Sequence, residues 1–272
     1  MSKVELFHGD CLEIMKNIAD KSIDMILCDL PYGATACKWD NVIPFESLWE
    51  QYNRVIKDNG ATVLFGSEPF SSYLRMSNIK NYKYDWIWNK KKSGNIFLAK
   101  YQPMKIHENI MIFGKGTVSY YPIMIKRDKI KKSKNYGTGE TMRGSRKKEE
   151  KLYIYDKKNP VSIIEFSNAL QKGKMHPTQK PVSLLEYLLK TYTNEGETVL
   201  DNCMGSGSTG VACVRNNRNF IGMELEEKYF EIAKNRIEDE IQKAENHAEC
   251  EPFWNLTTGE NNVGGINFAK NL

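Results

Sequence analysis

The stretch Ile23-Asp24-Met25-Ile26-Leu27, running on into Cys28-Asp29-Leu30-Pro31-Tyr32-Gly33, decides how the rest of the chain is read. An apolar run of this length, broken only by Asp24 and bounded by Pro and Gly, reads as a buried parallel strand. Asp29 to Gly33 then lies where the strand ends and the chain turns. Open α/β sheets bind ligands at the carboxyl ends of their strands, near the point where strand order reverses. A carboxylate, an imide carbonyl and an aromatic ring therefore meet at a candidate active site.

The trio has a chemical logic. Asp29 can accept a hydrogen bond from an amino group. Pro31 offers a backbone carbonyl as a second acceptor and has no N–H donor. Two acceptors aimed at one NH₂ hold it and push electron density onto its nitrogen. Tyr32 offers a flat face for a planar base. The tetrapeptide Asp29-Leu30-Pro31-Tyr32 also suits an ordinary turn.

Composition narrows the classes. The 272 residues suffice for one large α/β domain with an insertion, or for two domains. Six scattered Cys without a C-x-x-C pair, and four dispersed His, argue against a disulfide framework or a zinc site and for reduced, cytosolic thiols. No apolar run approaches membrane-spanning length, and no charged leader precedes an apolar core, so no membrane partner is expected. The net charge of +5 is modest, and its distribution matters more than its total.

Outward from the opening stretch, Lys3 to His8 reads as a strand and Cys11 to Ile18 as a helix, with Asp10 as N-cap or as an acid at a strand end. Phe45 to Lys57 has the apolar spacing of a helix, stopped by Asn59-Gly60. Ala61 to Phe65, Tyr82 to Trp88 and Ile106 to Phe113 read as strands, with a helix after Pro69 and a basic loop at Lys90-Lys91-Lys92. From Lys126 to Lys151 eleven Lys or Arg face four acids. Such a segment is either a solvated loop or a basic surface for nucleic acid phosphates. Order returns at Val161 to Phe166 and in the amphipathic helix Val182 to Tyr192.

A second loop follows the short strand Thr198 to Asp201. Asp201-Asn202-Cys203-Met204-Gly205-Ser206-Gly207 opens a helix, and the next strand, Phe220 to Glu224, ends in an acid about twenty residues on. Glycines at such a turn let backbone approach a ligand closely, and an acid at that distance suits the hydroxyls of a ribose. The loop has neither the G-x-G-x-x-G spacing of a dinucleotide site nor the pattern of a P-loop.

These motifs resemble those of the β-class amino-methyltransferases of DNA. Asp29-Leu30-Pro31-Tyr32 is similar to their D-P-P-Y motif, Asp201 to Gly207 to their D-P-F-x-G-S-G loop, and His176-Pro177-Thr178-Gln179-Lys180-Pro181 to their H-P-T-Q-K-P element. The order, with the catalytic motif first, is the permuted order of that class. The chain departs from the pattern at Leu30, Asn202 and Cys203; the last two alter the wall of the cofactor pocket.

The resemblance implies a doubly wound, mostly parallel, seven-stranded α/β sheet, circularly permuted, with its two ends adjacent in the sheet. It implies a catalytic part at 1–116, a basic target-recognition insertion at 117–172, a cofactor-binding part at 173–243 and an extension at 244–272 without an assigned role. The implied reaction is methyl transfer from S-adenosylmethionine, without a metal, to adenine N6 of a base flipped out of double-stranded DNA. Asp29, Pro31 and Tyr32 would be catalytic. Asp10, Cys11, Asp29, Thr178, Lys180, Asp201, Gly205, Ser206, Gly207 and Glu224 would border the cofactor. Lys91, Lys131, Lys132, Lys134, Arg143 and Arg146 would meet DNA. A homodimer and a cognate restriction endonuclease are further partners of such enzymes, in the cytoplasm of a bacterial or phage-infected cell. The rival readings are a cytosine-N4 enzyme of the same fold, an RNA or protein methyltransferase, and a catalytically silent, cofactor-sensing DNA-binding module. Asp at position 29 is usual for adenine enzymes, where cytosine enzymes usually carry Ser.

Overall fold

Alternate residues of the central strands join two different apolar clusters, which shows how the molecule is layered. In β2 (Ile23–Cys28), Met25 and Leu27 point to one apolar cluster, and Ile26 and Cys28 to another on the opposite face. A period of two with both faces apolar is what a sheet covered by helices on both sides requires. In the computed structural model, which describes residues 2–33, 41–94, 96–135, 151–168 and 179–249, helices do cover both sides. Helices α1 (Cys11–Met15), α2 (Phe45–Val55) and α3 (Phe70–Ser77) supply Met15, Leu48, Tyr52 and Leu74 to one cluster. Helices α4 (Val182–Tyr192), α5 (Ser208–Arg215) and α6 (Glu227–Glu249) supply Leu188, Val211 and Ile237 to the other.

All seven expected strands are present: β1 (Val4–His8), β2, β3 (Ile56–Gly66), β4 (Tyr82–Asn89), β5 (His107–Phe113), β9 (Thr198–Asp201) and β10 (Asn219–Glu224). An eighth short strand, β8 (Ile163–Glu165), adds to the edge beside β4. The order is β1-β10-β9-β2-β3-β5-β4-β8. The first five run parallel and β5 is antiparallel to its neighbours. Val4 pairs with Phe220 and His8 with Glu224, so β1 lies beside β10, as the permuted order implies. Strands β9 and β2 are adjacent and parallel, which sets the loops after Asp201 and after Cys28 side by side at the reversal of strand order.

Two local expectations are corrected. Helix α2 ends at Val55 because Ile56 is already extended, with ψ at 140°. Asn59 and Gly60 lie inside β3, not at a helix stop. A Cβ on Gly60 would come within 2.8 Å of the Asp24 carbonyl oxygen, so this glycine serves a close approach of β3 to β2 where their register shifts. Asp24, the polar break in β2, accepts from the Thr198 amide at 2.9 Å and pairs with Lys57 at 2.6 Å, tying β9 and β3 to the central strand.

The basic segment is not only a loop. Strands β6 (Ile125–Asn135) and β7 (Lys151–Lys158) form an antiparallel ribbon separate from the main sheet. Among the described residues no helix is long and apolar enough to cross a membrane.

Candidate active site

Strand β2 delivers Asp29, Leu30, Pro31 and Tyr32 to the rim of a cleft of about 520 Å³. The buried Leu30 side chain anchors this turn in the core. The Tyr32 hydroxyl donates to Oδ1 of Asp29 at 2.7 Å. One face of its ring stacks on Phe70, with centroids 4.8 Å apart. Burial, and then the Asp29 charge, push the Tyr32 pKa well up, so its hydroxyl keeps the proton it donates.

The other oxygen of Asp29 is held from across the sheet. Nζ of Lys180 donates to Oδ2 of Asp29 and lies 3.5 Å from Oε2 of Glu108. Nζ of Lys90 donates to Oε1 of Glu108, and the Phe65 ring lies 5.0 Å from the Lys180 ammonium. Burial works against charge on Lys180, but Asp29 and Glu108 outweigh it and hold the ammonium above its ordinary pKa. Burial likewise opposes charge on Glu108, and Lys180 and Lys90 outweigh it and keep the carboxyl below its ordinary range. Two carboxylates and two ammonium groups thus form a charge-balanced cluster at the cleft, which satisfies the requirement that buried charges be paired.

The opposite wall is the loop after β9. Asp201 accepts from Thr209 Oγ1 at 2.6 Å and from the Cys203 amide at 3.1 Å, which shapes the turn into α5. Burial pushes the Asp201 carboxyl up to about 7. Gly205 has φ +52° and nothing within 4 Å of where a Cβ would stand, so its backbone is bare toward the cleft. Its amide donates to Oε2 of Glu224 at 2.8 Å, and the Glu226 amide donates to Oε1 at 2.9 Å. Burial raises the Glu224 pKa against these bonds. Asp10 caps α1 through Oδ1, which accepts from Leu12 N at 2.8 Å, and it also lines the cleft. Asn202 joins two loops: it accepts from the Tyr52 hydroxyl at 2.5 Å and donates to the sulfurs of Cys11 and Cys203, each at 3.5 Å.

The cleft therefore gathers Asp10, Cys11, Asp29, Pro31, Tyr32, Lys180, Asp201, Gly205, Ser206 and Glu224. Gly207 is not among its lining residues. It has φ +77°, caps α5 and packs against α6, where a Cβ would meet Ala233 at 2.9 Å. Lys91 is engaged with Glu165 at 2.9 Å, outside the cleft. Lys131 and Lys132 are exposed on β6, and Lys134 lies on the same strand. Thr178, Arg143 and Arg146 lie outside the described residues. Sequence reasoning missed Glu108, Lys90, Phe65 and Trp88, which complete the wall near Asp29. The available signal for Glu108 was an acid in the polar head, His107-Glu108-Asn109, of a strand whose remainder is apolar.

The sequence model of a family described as DNA methylase (N6_N4_Mtase) matches residues 23–235. The chain belongs to this family. The methylase is 29% identical over 252 residues to the type II methyltransferase M.HpaI of Haemophilus parainfluenzae, covering 87% of this chain and 74% of that protein. It is 27% identical to the DNA adenine methyltransferase YhdJ of Escherichia coli K12, covering 86% and 82%. Among solved structures it resembles the M1.HpyAVI–SAM complex (TM-score 0.57, 26% identity, covering 86% of this chain and 99% of that one). The fold is also that of the cytosine-N4-specific PvuII DNA methyltransferase (TM-score 0.63, 16% identity, covering 91% and 93%).

Proposed function

We propose that this methylase transfers a methyl group from S-adenosylmethionine to N6 of adenine at a specific site in double-stranded DNA. The observation that carries the reading is the position of Asp29: a carboxylate in one cleft with the bare Gly205 backbone and the Glu224 carboxylate. The residues present suit the cofactor. The cleft is within the range that takes a nucleoside-sized ligand. Glu224 would accept from the ribose hydroxyls, Gly205 and Ser206 would lie along the methionine part, and Asp10 would meet the adenine amino group. Bound S-adenosylmethionine supplies a methyl group already activated by its sulfonium.

The protein's own part is positioning. The target base leaves the duplex at a cost of a few kcal/mol, recovered by stacking and pocket hydrogen bonds. Tyr32, braced from behind by Phe70, supplies the stacking face. Asp29 and the Pro31 carbonyl accept from the exocyclic amine and orient its lone pair. Holding the amine in line is the main source of rate on this reading. The β6–β7 ribbon carries Lys131, Lys132 and Lys134 to phosphates, with base edges left to fewer side chains.

The test is direct. Unmethylated bacterial DNA is incubated with the protein and labelled S-adenosylmethionine, digested to nucleosides and resolved by mass spectrometry. N6-methyladenine is the expected product, and sequencing the same DNA then yields the site. N4-methylcytosine would overturn the choice of base, and absence of label would overturn the DNA substrate.

A further inference from the structure

Both oxygens of Asp29 are occupied by donors within the protein: Oδ1 by Tyr32 and Oδ2 by Lys180. Each oxygen can accept a second bond, but the Lys180 ammonium competes with an incoming amine for Oδ2. Drawing that ammonium aside would strengthen the hold on the amine, and it needs somewhere to go. Beside Lys180 lies Oε2 of Glu108, buried and without a hydrogen-bond partner among the described residues, 3.5 Å from the same ammonium. Glu108 itself cannot drift, because Lys90 holds its other oxygen. Lys180 is confined as well, with its side chain 9% exposed and its ammonium over the Phe65 ring. A buried acceptor that the shared ammonium faces at 3.5 Å without a formed hydrogen bond is a position the ammonium reaches by a small shift, and buried polar groups are rarely left unbonded.

We propose that Glu108 is a positioning residue for methyl transfer: it takes the Lys180 ammonium when the target amine arrives, and so frees Oδ2 of Asp29. The inference rests on the reading of Asp29 given above. Nothing ionises or transfers in this step. Lys180 exchanges one carboxylate for its neighbour, and the amine takes the vacated position. The cluster keeps two negative and two positive groups throughout, so the partly buried Asp29 is never left without a nearby counter-charge. If Lys180 withdrew to solvent instead, Asp29 and Glu108 would face each other without it.

The test compares binding of two duplexes that carry the site found by sequencing, in saturating S-adenosylhomocysteine. One has adenine at the target position and the other has purine, which lacks only the 6-amino group, each opposite an abasic site so that flipping breaks no base pair in either. The unaltered enzyme should bind the adenine duplex about fivefold or more tightly, as one hydrogen bond to a charged group implies. In Glu108→Gln that ratio should fall below about twofold, with kcat reduced about tenfold and KM for S-adenosylmethionine little changed, because the loss belongs to the amine and not to the cofactor. Glu108→Asp keeps the charge and should keep most of the ratio. A ratio in Glu108→Gln equal to that of the unaltered enzyme overturns the proposal, and so does an equal loss in the Asp and Gln variants, which marks a packing role. Failure of the underlying reading looks different: the unaltered enzyme would then not distinguish adenine from purine.

Discussion

The hydroxyl of Tyr32 donates to Oδ1 of Asp29 at 2.7 Å while the ring of the same residue rests on Phe70. One side chain thus does two separable things, and substitutions can divide them. Asp29→Ala should abolish methyl transfer and leave cofactor binding within about tenfold, because Asp29 is one contact among several in the cleft. Tyr32→Phe keeps the ring and loses the donor; kcat should fall roughly tenfold, the worth of one hydrogen bond to a charged group. Single-turnover methylation beside cofactor titration checks both. Near-normal turnover by Asp29→Ala would remove Asp29 from the reaction.

Burial sets a pH dependence of stability at Asp201. Its carboxyl is raised from the ordinary 3.8 to about 7. Folded protein therefore keeps this proton where the unfolded chain has lost it. Unfolding in that window releases a proton, so this group's contribution to stability falls as pH rises from about 4 to about 7 and is level above. Asp201→Asn has nothing to titrate. Its melting temperature minus that of the unaltered protein should climb across the window and then plateau. A flat difference would mean that Asp201 titrates normally.

The ribbon makes a prediction about salt. Lys131 and Lys132 are exposed on β6. Replacing Lys131, Lys132 and Lys134 by Gln should weaken DNA binding and flatten its salt dependence, by up to roughly 0.9 in slope for each phosphate no longer neutralised. Binding isotherms at several salt concentrations give the slope. If the slope is unchanged, these lysines do not meet phosphates.

Gly207 should matter to folding more than to the ligand. Ala at that position must accept a left-handed backbone and an approach of 2.9 Å to Ala233. Left-handed strain of about 1–2 kcal/mol and overpacking of about 1–3 kcal/mol should together lower the melting temperature by several degrees. Cofactor affinity of the folded variant should change little, since Gly207 does not line the cleft. Lost affinity with unchanged melting would reverse that assignment.

Thiol chemistry offers a probe of the cofactor site. Cys11 lines the cleft, and its hydrogen bond with the Cys203 thiol lowers its pKa, with Asn202 assisting against burial. Burial pushes Cys28 up to about 12. A maleimide should therefore label Cys11 well before Cys28, and S-adenosylmethionine should slow labelling of Cys11. Peptide mapping by mass spectrometry follows both sites. Labelling of Cys11 that ignores the cofactor would place the cofactor elsewhere.

Much of the fold was legible along the chain because its signals are local. The Ile23–Leu27 run, the turn at Asp29–Tyr32, the Asp201–Gly207 loop and the acid at Glu224 each declare themselves within a few residues, through apolar period, turn chemistry and spacing. Motif order alone also implied that β1 would lie beside β10. Other features depend on which strands become neighbours. Gly60 reads as a helix stop until β2 is laid against β3 and the Asp24 carbonyl fills its Cβ position. Gly207 reads as a ligand-binding glycine, and only the packing of α6 shows that its missing Cβ also serves a close helix contact. Asp29, Glu108 and Lys180 come from three distant stretches, and no local pattern couples them. Their meeting follows from β5 entering the sheet antiparallel beside β3 and from Lys180 standing just ahead of α4, which packs on the sheet. Residue spacing encodes what a single element can do. A charge cluster spanning several elements is set by long-range packing, which satisfies buried charges only after the sheet has closed.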